Sequence, residues 1–180
     1  MSDPVKSQVH RAIYPGSFDP PTLGHLDVLS RGRRIFDEIV VAVGCNPDKS
    51  AFFEVGHRVE MMTRLVEEVI EAEPDAAPVT VAFYDGLTVD FAREVSATAI
   101  LRGIRNTTDL HAECQLAITN RQVADIESVF VVPGEAYAYT SSSLIRQIAS
   151  LGGDLDRLRT MLPSLVIDAI DKKRRSSTPD

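Results

Sequence analysis

Cysteine is scarce in this sequence: only Cys45 and Cys114 occur, and they show no metal-type spacing. That argues against a disulfide framework or a zinc site as the device that holds the chain together. Long apolar runs are missing, and none approaches the roughly 18 residues of a membrane-spanning helix. The start, MSDPVKSQ, lacks the basic-then-apolar order of a signal peptide, so a cytoplasmic protein is expected. Positive charge is in short supply, with a net charge of −7. This argues against a broad nucleic-acid or membrane-binding surface but leaves room for a local basic pocket. No internal repeat or low-complexity linker divides the 180 residues. A single domain is expected, with an ordered core from about residue 9 to about residue 172 and frayed ends, including SSTPD at 176–180.

The rest is the composition of a soluble globular protein, 44% hydrophobic and 25% charged, in a chain long enough to bury roughly 70% of its unfolded surface. Short β-rich runs alternate with helical patterns: HRAIY (10–14), EIVVAVG (38–44), VTVAFYD (79–85), TAILRG (98–103) and SVFVVP (128–133). Near-continuous apolar runs such as IVVAV fit strands covered on both faces. Between them Leu26, Leu29, Arg33 and Phe36 recur at helical spacing, with the arginine snorkelling, and so do Val59, Met62, Val66 and Val69. Phe91 and Val95 predict a third helix; Leu110, Cys114 and Ile118 predict a fourth. Strand, helix, strand, repeated, predicts a Rossmann-like α/β fold: a doubly wound, five-stranded parallel sheet with right-handed crossovers. C-terminal helices follow. SSSLIRQIAS stops at Gly152–Gly153, and a last helical pair broken by Pro163 runs to DKKRR, read as a solvated helix end.

In open α/β sheets ligands bind beyond the carboxyl ends of the strands. The segments there are GSFDPPTLGH, CNPDK, DGLT, RGIRNTTDLHAE and PGEAYAYTSSSLIR. Four of the five hold cations, hydroxyls or glycines suited to phosphate. A helix starting near Gly24 would aim its amides and positive dipole end into the cleft. His25, in its first turn, would donate a hydrogen bond to phosphate oxygens, stabilising charge rather than acting as a general base. The plainer alternative is a helix-start histidine that only satisfies local backbone.

GSFDPPTLGH resembles the T/HxGH motif of the nucleotidylyltransferase superfamily, and SSSLIR resembles its ISSSxxR-type motif. With NPDK and LRGIRNTTD, the ordered set is most similar to the phosphopantetheine adenylyltransferase family, from about Arg11 to LGGD at 151–154. The resemblance implies that ATP and 4'-phosphopantetheine give dephospho-coenzyme A and pyrophosphate, with Mg²⁺ bound alongside ATP. It also implies inhibition by coenzyme A and a homohexamer. Positioning and charge stabilisation would then be the catalytic work.

The residue roles follow from the same resemblance. His25, Lys49 and Arg102 would be catalytic, and Ser17, Lys49, Thr88 and Arg102 would hold the acceptor. ATP would meet Ser17, Phe18, His25, Gly103, Ile104, Arg105 and Glu113, then Tyr137, Ala138, Tyr139, Thr140, Ser141, Ser142 and Ser143. Leu87 neighbours Thr88 in the loop facing the pantetheine arm, and Arg146 lies one turn beyond the serines. Glu113 has a helix salt bridge as its alternative, and one of the three serines has an N-cap. The chain departs from the family at Ala112, where an aromatic is common, at Tyr137 (commonly tryptophan) and at Thr140 (commonly isoleucine or valine). Two other readings are another adenylyl- or cytidylyltransferase of this fold and a nucleotide-binding regulator without turnover. Thr22, in place of a first histidine, favours the pantetheine branch, and retention of the phosphate-contacting groups favours an enzyme.

Overall fold

The computed structural model describes residues 9–45 and 50–177. Five strands and six α-helices alternate: β1 (Arg11–Gly16), α1 (Leu23–Gly32), β2 (Glu38–Gly44), α2 (Val55–Ala72), β3 (Val79–Tyr84), α3 (Thr88–Glu94), β4 (Ala99–Gly103), α4 (Thr107–Ala124) and β5 (Glu127–Val131), then α5 (Ser142–Ser150) and α6 (Ser164–Ser177). All strand pairs are parallel, in the order β3-β2-β1-β4-β5. The expected doubly wound sheet is therefore present.

The chain moves outward from β1 to β3, then returns across the sheet to place β4 beside β1. Because such crossovers are right-handed, α1 and α2 cover one face and α3 and α4 the other. The core divides accordingly. Tyr14, Val28, Leu29, Val41, Met62, Val66 and Leu101 pack on the first face; Ile13, Val40, Val89, Phe91, Ala92 and Ile100 pack on the second. The apolar side of α2 continues into a third cluster, where Met61 and Leu65 meet Ile145, Leu158, Leu162 and Val166 of the C-terminal helices.

Three expectations change. Helix α4 has no buried residue; Leu110 and Ile118 are exposed at 42% and 57%, so that stripe serves no intrachain core. Arg33 does not snorkel. It is 2% exposed and donates to the carbonyls of Val69, Glu73, Ala76 and Ala77, satisfying the C-terminal end of α2 and the turn after it. The basic end of α6 is likewise no purely solvated terminus. Arg174 donates to the carbonyls of Ile148, Ala149 and Gly153 and so caps α5, whose orphan carbonyls need such donors. Of SSTPD, Ser176 and Ser177 belong to α6, while 178–180 and the expected frayed start at 1–8 lie outside the described residues. The chain reverses after α5 as the glycine pair predicts, with Gly152 at φ +76° and Gly153 N–H donating to Ile148 O at 2.9 Å.

Arg33→Met keeps the stem but removes the guanidinium donor from all four carbonyls, of which Val69 O and Glu73 O retain a backbone N–H. Urea unfolding should show a loss of about 1–3 kcal/mol, with an unchanged m-value; wild-type stability would mean that water replaces the guanidinium fully.

Candidate active site

The reversal of strand order leaves a crevice between the carboxyl ends of β1 and β4, where α1 and α4 diverge. A cavity of about 320 Å³ opens there, the size of a small-molecule site. Its wall is built first by the loop after β1. Gly16 is needed for close approach, since a Cβ there would lie 3.0 Å from the Phe18 ring. Phe18, 1% exposed and at φ +45°, is wedged edge-on between Tyr14 and His25. Asp19 turns inward, and its carboxylate accepts the amides of Phe52 (2.7 Å) and Phe53 (2.8 Å). Arg58, 3% exposed, donates to the carbonyls of Ser17, Gly44 and Phe53, so one guanidinium ties the ends of β1 and β2 to the start of α2.

Helix α1 then presents the histidine. Thr22 is its N-cap, and with His25 it forms a reciprocal capping box. The Thr22 backbone N–H donates to His25 Nδ1 at 3.1 Å. An Nδ1 that accepts cannot carry the proton, so the neutral imidazole is protonated on Nε2 and has one N–H to offer. His25 thus does satisfy local backbone, and it also lines the cavity. The two readings of this histidine are not exclusive. The ring is held neutral: burial first, then Arg105 and Arg102, push its pKa down to about 4. Of the first amides of α1, Leu23 N–H goes to Met161 O and His25 N–H to the cap. Gly24 lines the cavity and keeps its amide uncommitted among the described residues.

Strand β4, the loop after it and helix α4 supply two arginine–carboxylate pairs. Arg102 reaches Glu113 with Nε (2.7 Å) and Nη2, and Pro15 O with Nη1 (2.9 Å). Arg105 reaches Asp109 with Nε (2.8 Å) and Nη2, and Thr140 O with Nη1. Each fork keeps two of its five N–H groups for a ligand without breaking its pair. Gly103 between them permits contact with α1, since a Cβ there would sit 2.8 Å from Val28.

Helix α5 closes the site with its N-terminus. Ser141 is the N-cap, accepting from Leu144 N–H at 3.5 Å. Ser142 donates to Pro20 O, and Ser143 accepts from Arg146, which also donates to Asp19 O. Thr140 Oγ1 is enclosed and has no partner among the described residues.

Of the sequence-predicted residues, Ser17, Phe18, His25, Arg102, Gly103, Arg105, Glu113, Thr140, Ser141, Ser142, Ser143 and Arg146 line this one cavity. Ile104 is 8% exposed and packs in the interior; its amide donates to Val131 O. Tyr137, Ala138 and Tyr139 do not line the cavity, and Tyr139 is 87% exposed. Thr88 stands at the start of α3, 2.9 Å from the Tyr84 hydroxyl, beside an exposed Leu87. Lys49 lies outside the described residues. Asp109, Asp19 and Arg58 were missed. The spacing of Arg105 to Asp109 is a legible i, i+4 pair, and Arg58 falls on the same helical stripe as Met61, Met62 and Leu65. No group of three or more His, Cys, Asp or Glu among the described residues is placed to hold a metal ion.

A Cytidylyltransferase-like family model matches residues 13–148. A phosphopantetheine adenylyltransferase from Methylacidiphilum infernorum is 41% identical over 172 residues, 94% of this chain and 95% of that protein. The chain belongs to the phosphopantetheine adenylyltransferase family. Relatives of the same name from Synechocystis (43% over 158 residues, 87% and 94% of the two chains) and Aquifex aeolicus (43% over 148 residues, 82% and 88%) agree. Among solved structures, a nicotinic acid mononucleotide adenylyltransferase of Plasmodium falciparum, complexed with NaAD, shares the fold. It is 20% identical with a TM-score of 0.54, covering 92% of this chain and 96% of its own. Within this family fold, the cavity holds the family's two sequence motifs side by side: GSFDPPTLGH from β1 and α1, and SSSLIR from α5.

The neutral state of His25 has a measurable signature. Its ring in the ligand-free protein should titrate near pH 4 by NMR, not near 6.5. Between those values the unfolded chain takes up a proton that the folded chain refuses, so this group lowers stability as pH falls from about 6.5 to about 4. His25→Asn should flatten that part of the stability profile. A midpoint at 6.5 would mean that the ring is fully solvated.

Proposed function

We propose that this chain transfers the adenylyl group of ATP to 4'-phosphopantetheine, giving dephospho-coenzyme A and pyrophosphate. The observation that carries this reading is the convergence, at the strand-order reversal of a phosphopantetheine adenylyltransferase fold, of His25, Arg102, Arg105, Arg146 and the α5 N-terminus on one cavity.

A phosphate monoester is already a competent nucleophile near neutral pH, so the chemistry needs alignment more than a base. An oxygen of the acceptor phosphate attacks the α-phosphorus of ATP. The bond from that phosphorus to the bridging oxygen breaks, and pyrophosphate leaves with its electron pair. His25 Nε2–H donates to an oxygen of the phosphoryl group in transit, where negative charge grows. The uncommitted N–H groups of Arg102 and Arg105, with those of Arg146 and the amides opening α5, hold the remaining phosphate oxygens. Lys49 is assigned to the acceptor phosphate or the β-phosphate, and Thr88 to the pantetheine arm. Tyr137, Ala138 and Tyr139 are assigned to the nucleotide end. Asp109 and Glu113 are committed to arginines, so Mg²⁺ would be held by the ATP phosphates themselves, where it would neutralise polyphosphate charge.

Self-association as a homohexamer, regulation by coenzyme A and a cytoplasmic location belong to the same proposal. In support of the first, Leu110, Leu116, Ile118 and Val123 of α4 are all more than 40% exposed. In support of the last, no helix among the described residues is long and apolar enough to cross a membrane.

Incubation with ATP, Mg²⁺ and 4'-phosphopantetheine should yield dephospho-coenzyme A and pyrophosphate; much faster adenylylation of nicotinamide mononucleotide would place the chain in a different branch. His25→Ala should lower kcat by on the order of 10²–10³, with a smaller change in ATP affinity and a Tm lowered by loss of the Thr22–His25 capping box. Normal turnover in that variant would refute the assigned role. Light scattering should give six chains for the wild type, and Ile118→Asp should yield smaller, folded species. A monomeric wild type would overturn the hexamer.

A further inference from the structure

We infer that Tyr14 is a further nucleotide-contacting residue, its phenol donating a hydrogen bond to a ribose or phosphate oxygen of bound ATP. The inference rests on the adenylyltransferase reading and adds to it a neutral donor on the floor of the cavity. Tyr14 lies in the buried run 12–15 of β1 and is only 5% exposed, yet it lines the cavity. Its hydroxyl has no hydrogen-bonding partner among the described residues. The one fully enclosed side-chain polar atom without a partner among them is Thr140 Oγ1, so the unpaired phenol oxygen keeps contact with the cavity. A donor that opens onto the cavity with no protein partner is free to bond a ligand oxygen there without breaking an existing contact.

The side of the strand decides which ligand. Tyr14 shares a core cluster with Val28 and Leu101, on the face covered by α1. Gly24, Gly103 and Arg105 border the cavity there, and Arg102, paired with Glu113 of α4, lines it as well. With Gly103 and Arg105 assigned to ATP, the nucleotide lies over Tyr14. Burial raises the phenol pKa well above its ordinary value, outweighing the opposing pull of Arg102 and Arg105. The proton stays on the oxygen across the working pH range, and the group can only donate to an anionic ligand.

Tyr14→Phe removes the oxygen and keeps the ring on Phe18. Calorimetric titration of the whole protein with ATP and Mg²⁺, without acceptor, should show affinity weakened about three- to tenfold. The ligand-free Tm should stay close to wild type, because the lost hydroxyl opens onto the cavity and bonds no protein group among the described residues. Steady-state kinetics should raise KM for ATP and leave KM for 4'-phosphopantetheine unchanged. Unchanged ATP affinity would overturn the inference, as would a KM effect confined to 4'-phosphopantetheine or a lower Tm with normal affinity in the folded fraction. Failure of the wild type to form dephospho-coenzyme A would instead overturn the reaction, leaving the ATP titration to decide on Tyr14.

Discussion

The return of the chain from β3 to a place beside β1 governs the rest of the molecule. Right-handed crossovers place α1 and α2 on one face and α3 and α4 on the other. No helix can then cover the carboxyl ends of β1 and β4, and the crevice between them is a consequence of topology. Among the described residues, that opening receives the loop after β1, the arginines at and just beyond the end of β4, and the capped start of α5. The buried groups Asp19 and Arg58 act on the same region by fixing the loop backbone that borders it.

The charge of the protein and that of its site have opposite signs for a physical reason. A net −7 is spread over solvated surface, while Arg102, Arg105 and Arg146 meet in one cleft. Three guanidinium groups without ligand would repel one another. Glu113 and Asp109, one helical turn apart on α4, hold two of them in position. Each pair leaves donors over, so the counter-ions orient the arginines without consuming them. Those arginines, with burial, keep His25 neutral, which makes it a hydrogen-bond donor rather than a second cation.

Local patterning made much of this legible. Alternating apolar runs and helical stripes predict the five strands and most helices, because a parallel sheet covered on both faces demands such runs. GSFDPPTLGH and SSSLIR mark the two motifs, and an N-cap among the three serines of the second is legible, whereas the structure adds Thr22 as the cap of α1. Arg33, Arg58 and Arg174 were less readable. A buried arginine and a surface arginine look alike in sequence; the carbonyls that receive the first are brought by distant segments.

By itself, then, the sequence determined the parallel α/β fold, an N-cap for α5 and the chemical character of the ligand, since these depend on short-range periodicity and residue type. Tertiary structure alone decided that Glu113 pairs with Arg102 and that α4 keeps an uncovered apolar side. It also decided that Tyr14 sits in the core yet opens onto the cavity. Each of these depends on which groups from separate elements share a small volume, and that is set by packing across the sheet rather than by neighbours in the chain.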